Sequence, residues 1–178
     1  PIKNEIPFSL DQSEYDQSTF KGRFMKLVKV QNPFYTFLSK KRIEQCQSLI
    51  KEQRNLETEF RKNNRNTYLS PEKAKELRKA QYIVGSSVHP DTNEIIPSYK
   101  RFCSYAIVNI PILFGMILSR QTTSTIIFWQ WVNQTYNAAL NYSNRNASSD
   151  MDIKGLSIAY AGAVTTSIGI GLGMRKLL

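Results

Sequence analysis

Residues 122–146 read TTSTIIFWQWVNQTYNAALNYSNRN, and no charged side chain lies between Arg120 and Arg145. The stretch is nonetheless polar. At helical spacing Gln130, Asn133, Asn137, Asn141 and Asn144 follow one another by 3, 4, 4 and 3 residues, which puts five amides on one face of a helix. Phe128, Trp129, Trp131, Tyr136 and Tyr142 spread around the rest of the cylinder. A soluble core can hold such a helix, but two more charge-free windows flank it, at 102–119 and 155–174. Three such windows in the last 78 residues indicate a membrane region whose middle segment carries the polar chemistry.

The mean hydropathy of −0.38 conceals this split. Residues 1–100 hold 18 Lys and Arg and 12 Asp and Glu, whereas residues 101–178 hold six basic and two acidic side chains, all outside the three windows. The net charge of +10 raises the question of nucleic acid. The basic residues are interleaved with acids, however, and no zinc-finger, homeodomain or RNA-binding aromatic motif is present. Anionic lipid headgroups or a neighbouring subunit suit the charge better, and no nucleic-acid partner is expected. Cys46 and Cys103 form no metal spacing and no disulfide framework, so two small buried hydrophobes are expected. The N-terminal residues 1–20 read as neither a secretory signal nor an Arg-rich transit peptide, so any organelle targeting would be internal. A start at Pro1 is consistent with removal of an initiator Met.

The expected fold is all-α: an N-terminal amphipathic helical region followed by a small bundle of two to three transmembrane helices. Region 1–100 opens with an aromatic-rich arm that either lies along headgroups or covers the next two helices. Within it, residues 20–30 place Phe20, Phe24, Leu27 and Val28 on one face, as an interfacial helix or a short packed one. A long helix is expected from Ser39 as N-cap to about Arg61, with a stripe of Ile43, Cys46, Leu49/Ile50, Leu56 and Phe60. A second starts at Ser70-Pro71 and stops at Gly85, its face marked by Ala74, Leu77, Gln81 and Val84. The two form an antiparallel pair on the membrane surface. His89-Pro90-Asp91-Thr92-Asn93-Glu94 contains the single histidine, but its spacing fits no metal site; a structural turn with Asn93 in the left-handed region is the stronger reading.

Lys100-Arg101 then mark the membrane boundary of region 101–178, with helices near 102–119, 122–144 and 155–174. The first window is near the lower limit for spanning and carries Asn109 and Pro111 in its middle. The second spans or runs partly along the interface, where Trp and Tyr are at home. Its sequons NQT, NYS and NAS read as accidents of an Asn-rich sequence. After the loop SSDMDIK, the third window repeats small residues every four positions, Gly155, Ala159, Ala163, Ser167 and Gly171, beside Ser157, Ala161, Thr165, Gly169 and Gly173. Such ladders let another helix approach almost to backbone contact.

Three stretches together resemble one family, the sideroflexins: Asp16-Gln17-Ser18-Thr19-Phe20-Lys21-Gly22-Arg23, His89 to Glu94, and Phe128-Trp129-Gln130-Trp131-Val132-Asn133-Gln134-Thr135-Tyr136-Asn137-Ala138 running on to Asn141-Tyr142-Ser143-Asn144-Arg145-Asn146. Their order and separations also fit, so the resemblance covers essentially the whole chain. It implies a multi-pass protein of the mitochondrial inner membrane that moves small neutral amino acids, serine above all, without a cofactor or a cleaved presequence. Asn93 stands where the family usually has Gly, a change a left-handed turn absorbs. The family continues for nearly as long again with further membrane helices, which puts transport by this length of chain alone in question, because alternating access needs two halves around a central site.

Two functions of different class follow. In the first, the chain is the N-terminal portion of a transporter completed by a second chain or another copy, with Asn133, Gln134, Asn137 and Asn141 lining the path; the same amides could instead tie helices together. In the second, it is a structural accessory subunit of a large inner-membrane complex such as a respiratory assembly. No nucleophile–base pair, metal cluster or phosphate loop is present in the sequence, so no enzyme, no catalytic residue, no metal and no cofactor are expected. Basic flanks on both sides of each window leave the orientation open.

Overall fold

The computed structural model describes residues 5–63, 65–145 and 153–177. Asn146, which belongs both to a sequon and to the third family motif, lies outside them, as do residues 148–152 of the SSDMDIK loop and residues 1–4 of the N-terminus. The architecture is all-α with one two-residue strand pair, and the chain divides into two compact units, Pro1–Val88 and His89–Leu178.

In the first unit, α2 (Lys40–Lys62) and α3 (Pro71–Ser87) form an antiparallel pair. Their starts are those the caps dictate: the Ser39 hydroxyl accepts from the Arg42 amide and the Ser70 hydroxyl from the Lys73 amide, with Pro71 in the first turn. Gly85 does not end α3. The helix runs through it to Ser87 and stops because Val88 is extended (φ −124°, ψ 136°), directly before a His89 that Pro90 pushes out of the α region.

The arm covers the pair. Strand β1 (Ile6–Pro7) pairs antiparallel with β2 (Tyr68–Leu69), and Phe8 and Leu10 enter a core with Ala74 and Leu77, against Leu49, Ile50 and Leu69. The expected α2 stripe is buried at Ile43 and Cys46, but Leu56 and Phe60 are exposed and Gln53 and Glu57 are buried in their place. Glu57 is the acceptor that holds the arm down. Both its oxygens receive the Leu10 amide, at 3.0 and 3.2 Å, and it also accepts from Gln53 Nε2 at 3.2 Å. From α3, Arg78 donates to Ser9 O at 2.9 Å while lying over the Phe8 ring, Gln81 donates to Leu10 O at 2.8 Å, and the Tyr82 hydroxyl bonds Glu14.

The motif at 16–23 is a knot that starts α1 (Phe20–Val30). Asp16 Oδ1 accepts from the Ser18 amide and hydroxyl, Thr19 caps the Gly22 amide at 3.0 Å, and Arg23 donates to the carbonyls of Gln17 and Ser18. The Asp16 carbonyl oxygen would sit 1.8 Å from a Cβ at position 22, so only glycine fits. A 3-10 turn, Pro33–Phe37, connects α1 to α2.

In the second unit, short 3-10 turns at Ser98–Lys100 and Phe102–Ser104 lead into α4 (Tyr105–Leu118), α5 (Thr123–Ser143) and α6 (Ile153–Leu177). Arg101 is buried and donates to Ile96 O at 2.9 Å, rather than standing exposed at a boundary. α5 begins with a capping box in which Thr122 and Thr125 each bond the other's amide. α4 and α5 pack through Ile112, Tyr136 and Leu140, with Val108, Met116, Trp129 and Val132 around them. Gly115 makes that approach: its Cβ position is 2.2 Å from the Trp129 ring. The 25 residues of α6 reach about 37 Å, enough to cross a hydrocarbon core of about 30 Å, and their composition is apolar enough to do so. The apolar segment Phe102–Leu118 is shorter.

Candidate functional site

The amide face lies on α5, which packs against both α4 and α6. Three contacts fix α6 antiparallel to α5: Thr135 Oγ1 meets the Tyr160 hydroxyl at 2.7 Å, Arg175 donates to Thr123 Oγ1 at 2.7 Å, and the Cβ position of Gly171 is 3.0 Å from Ile126 and 3.6 Å from Gln130. Asn133, Gln134 and Asn137 are half-buried and Asn141 is exposed. Among the described residues, none of these four side chains makes a hydrogen bond. The polar ties between α5 and α6 come from Thr135 and Thr123 instead.

Two further polar groups stand out that the amide periodicity does not mark. Asn109 of α4 is 6% exposed and Tyr136 of α5 is 9% exposed, and neither the Asn109 amide nitrogen nor the Tyr136 hydroxyl has a hydrogen-bond partner. Ser104 is the polar side chain beside the Tyr136 hydroxyl; its own hydroxyl donates to Arg101 O at 2.6 Å, and its oxygen stands outside hydrogen-bond geometry with Tyr136. Buried polar groups are nearly always satisfied, so these two stand out among the described residues. Asn109 was visible in sequence as an amide inside an apolar window; Tyr136 resembled any other interfacial aromatic.

The far end of α5 is locked where α5 meets the histidine turn. His89 Nε2 donates to Arg145 O at 2.6 Å, while Nδ1 accepts from the amides of Asp91 and Thr92 at 3.3 and 3.4 Å. Pro90 leads the turn, Asn93 takes φ 57°, its amide bonds His89 O, and the His89 amide bonds Glu94 O. The carbonyl of Lys100 accepts from Asn144 Nδ2 at 2.7 Å, and the Arg145 guanidinium lies over Tyr142 at 3.9 Å. A cavity of about 290 Å³ opens here between His89, Thr92, Glu94, Tyr142 and Arg145. The histidine is thus a bracket for the helix end, and two of the three family motifs meet in space.

On α6 the five-residue ladder does not stay on one side. Each four-residue step overshoots a turn by about 40°, so four steps wind across the helix. Ser167 and Gly171 are half-buried, whereas Gly155, Ala159 and Ala163 are exposed. On the outward face Gly162, Gly169 and Gly173 have nothing within 4 Å of their Cβ positions.

The family model described as Sideroflexins matches residues 9–178. The chain belongs to the sideroflexin family. It is 37% identical over 180 residues to Sideroflexin of Dictyostelium discoideum, covering 98% of this chain and 51% of that protein. It is 31% identical to human Sideroflexin-5 (97% and 48% covered) and 31% identical to human Sideroflexin-3 (97% and 51%). The chain spans about half the length of the curated sideroflexins it matches. No solved structure matches it. Family membership and the apolar α6 together support membrane association.

Proposed function

We propose that this sideroflexin forms part of a multi-pass carrier of the mitochondrial inner membrane that moves a small neutral amino acid, serine foremost. The observation that carries the reading is the set of unpartnered amides at Asn133, Gln134, Asn137 and Asn141 on a helix packed between two apolar ones. A zwitterion needs both acceptors for its ammonium and donors for its carboxylate, and an amide supplies both. It does so without a fixed charge, which costs about 2.5–3.5 kcal/mol at the centre of a membrane helix. Asn109 and the Tyr136 hydroxyl add further unused polar capacity on the neighbouring faces. No cofactor enters the scheme.

The path is completed by helices from outside these residues, whether further along the same polypeptide or in another chain. The uncovered small-residue face of α6 suits such a helix. The test is uptake of labelled serine into liposomes holding the complete carrier, these residues together with the helices that complete the path. Saturable uptake of serine in preference to lysine or aspartate is expected; uptake no faster than into empty liposomes overturns the reading. Native-gel migration of the endogenous protein with a respiratory assembly at fixed stoichiometry would also count against a carrier.

A further inference from the structure

A different surface, in the first unit, carries an independent inference. Phe20, Phe24, Leu27 and Val28 of α1 are all exposed, Phe20 at 76%, and Phe34 and Phe37 of the following turn at 75% and 72%. The side of α1 turned inward is the opposite one, where Gly22 is buried and Met25 half-buried. At about 100° per residue, Phe20, Phe24 and Leu27 form one outward strip, with Lys21 on one flank and Arg23 on the other. Residues 20–42 contain seven Lys and Arg and no Asp or Glu. The nearest acid, Asp16, precedes the helix and is bonded to Ser18. Six large apolar side chains within 18 residues, set in a cation-rich segment whose Lys40 reaches Glu44 at 3.8 Å, are too many to leave to water.

We propose that α1 and the Pro33–Phe37 turn insert shallowly into an anionic phospholipid leaflet. The aromatic strip enters the headgroup–acyl boundary and Lys21 beside it pairs with lipid phosphate, while Arg23 keeps its bonds to the carbonyls of Gln17 and Ser18. Charge complementarity selects this occupant, since a face ringed only by cations suits an anionic surface and a second copy of the chain would repel it. The chain also carries α6, which anchors the polypeptide at a bilayer and so keeps α1 near one.

The test is a spin label introduced singly at Phe24→Cys, Leu27→Cys or Lys26→Cys in the whole chain reconstituted in vesicles. Cys46 and Cys103 are buried, which directs labelling to the introduced thiol. In vesicles containing anionic phospholipid, positions 24 and 27 are expected to be accessible to oxygen and shielded from a water-soluble nickel chelate, and position 26 the reverse. In purely zwitterionic vesicles, and in Lys21→Glu, shielding at 24 and 27 is expected to be lost. Nickel access at 24 in anionic vesicles overturns the proposal, because the face is then in water. Shielding from both reagents overturns it in favour of a protein partner, and equal shielding in zwitterionic vesicles overturns the choice of an anionic surface.

Discussion

The arm of the first unit and the amide face of the second use polar side chains in opposite ways. Beneath the arm, the buried Gln53 and Glu57 and the flanking Arg78, Gln81 and Tyr82 are each spent on a hydrogen bond, mostly to the backbone of residues 9–10. On α5, the side chains of Asn133, Gln134, Asn137 and Asn141 make no hydrogen bond among the described residues, and the buried Asn109 amide nitrogen and Tyr136 hydroxyl likewise find no partner there. The first arrangement is structural, because each group there already has its partner. The second leaves polar capacity that the described residues do not use, which is the ground of the carrier reading proposed above. α4, α5 and α6 are instead held by fit, with Trp129 over Gly115 and Ile126 on Gly171.

If this contrast holds, the largest loss of stability belongs to Glu57→Ala. It strips the Leu10 amide of its acceptor, and urea unfolding of the first unit should lose about 2–3 kcal/mol. Next comes Gly115→Ala, where a methyl meets the Trp129 ring; a thermal melt should report a cost of about 1–3 kcal/mol to the α4–α5 packing. Tyr82→Phe should cost about 0.5–1.5 kcal/mol. Burial, then the Glu14 hydrogen bond, hold the Tyr82 hydroxyl above its ordinary value of 10.0. The unfolded chain therefore loses that proton first, so this contribution is complete below pH 10.0 and is lost as pH climbs through the raised value. Comparing wild type with Tyr82→Phe across that range isolates it. Thr135→Val, which removes the bond to Tyr160, should cost only about 0.6 kcal/mol in a denaturant titration in detergent.

Much of this was legible in the sequence, for physical reasons. Ser39, Ser70 and Pro71 announce helix starts because the free amides there require them, and Asn93 announces a left-handed turn because few other residues tolerate one. The α2 core face was misread beyond Leu49 and Ile50. Its next positions, Gln53 and Glu57, are polar because their partner is the backbone of the arm, which no helical periodicity reveals. Gly85 was a misleading stop, since the real terminator is the His89-Pro90 step. The amide face of α5 was visible as a spacing; that Asn144 is bonded to Lys100 O while Asn133, Asn137 and Asn141 have no partner among the described residues was not, because only packing decides which polar groups are used.

The most direct test of the central claim is the double substitution Asn133→Ala/Asn137→Ala, read by unfolding in detergent and by serine uptake into liposomes. Unspent amides predict an unchanged unfolding midpoint and a loss of uptake. A lowered midpoint with uptake intact would show the amides to be ties between helices, and would contradict the account.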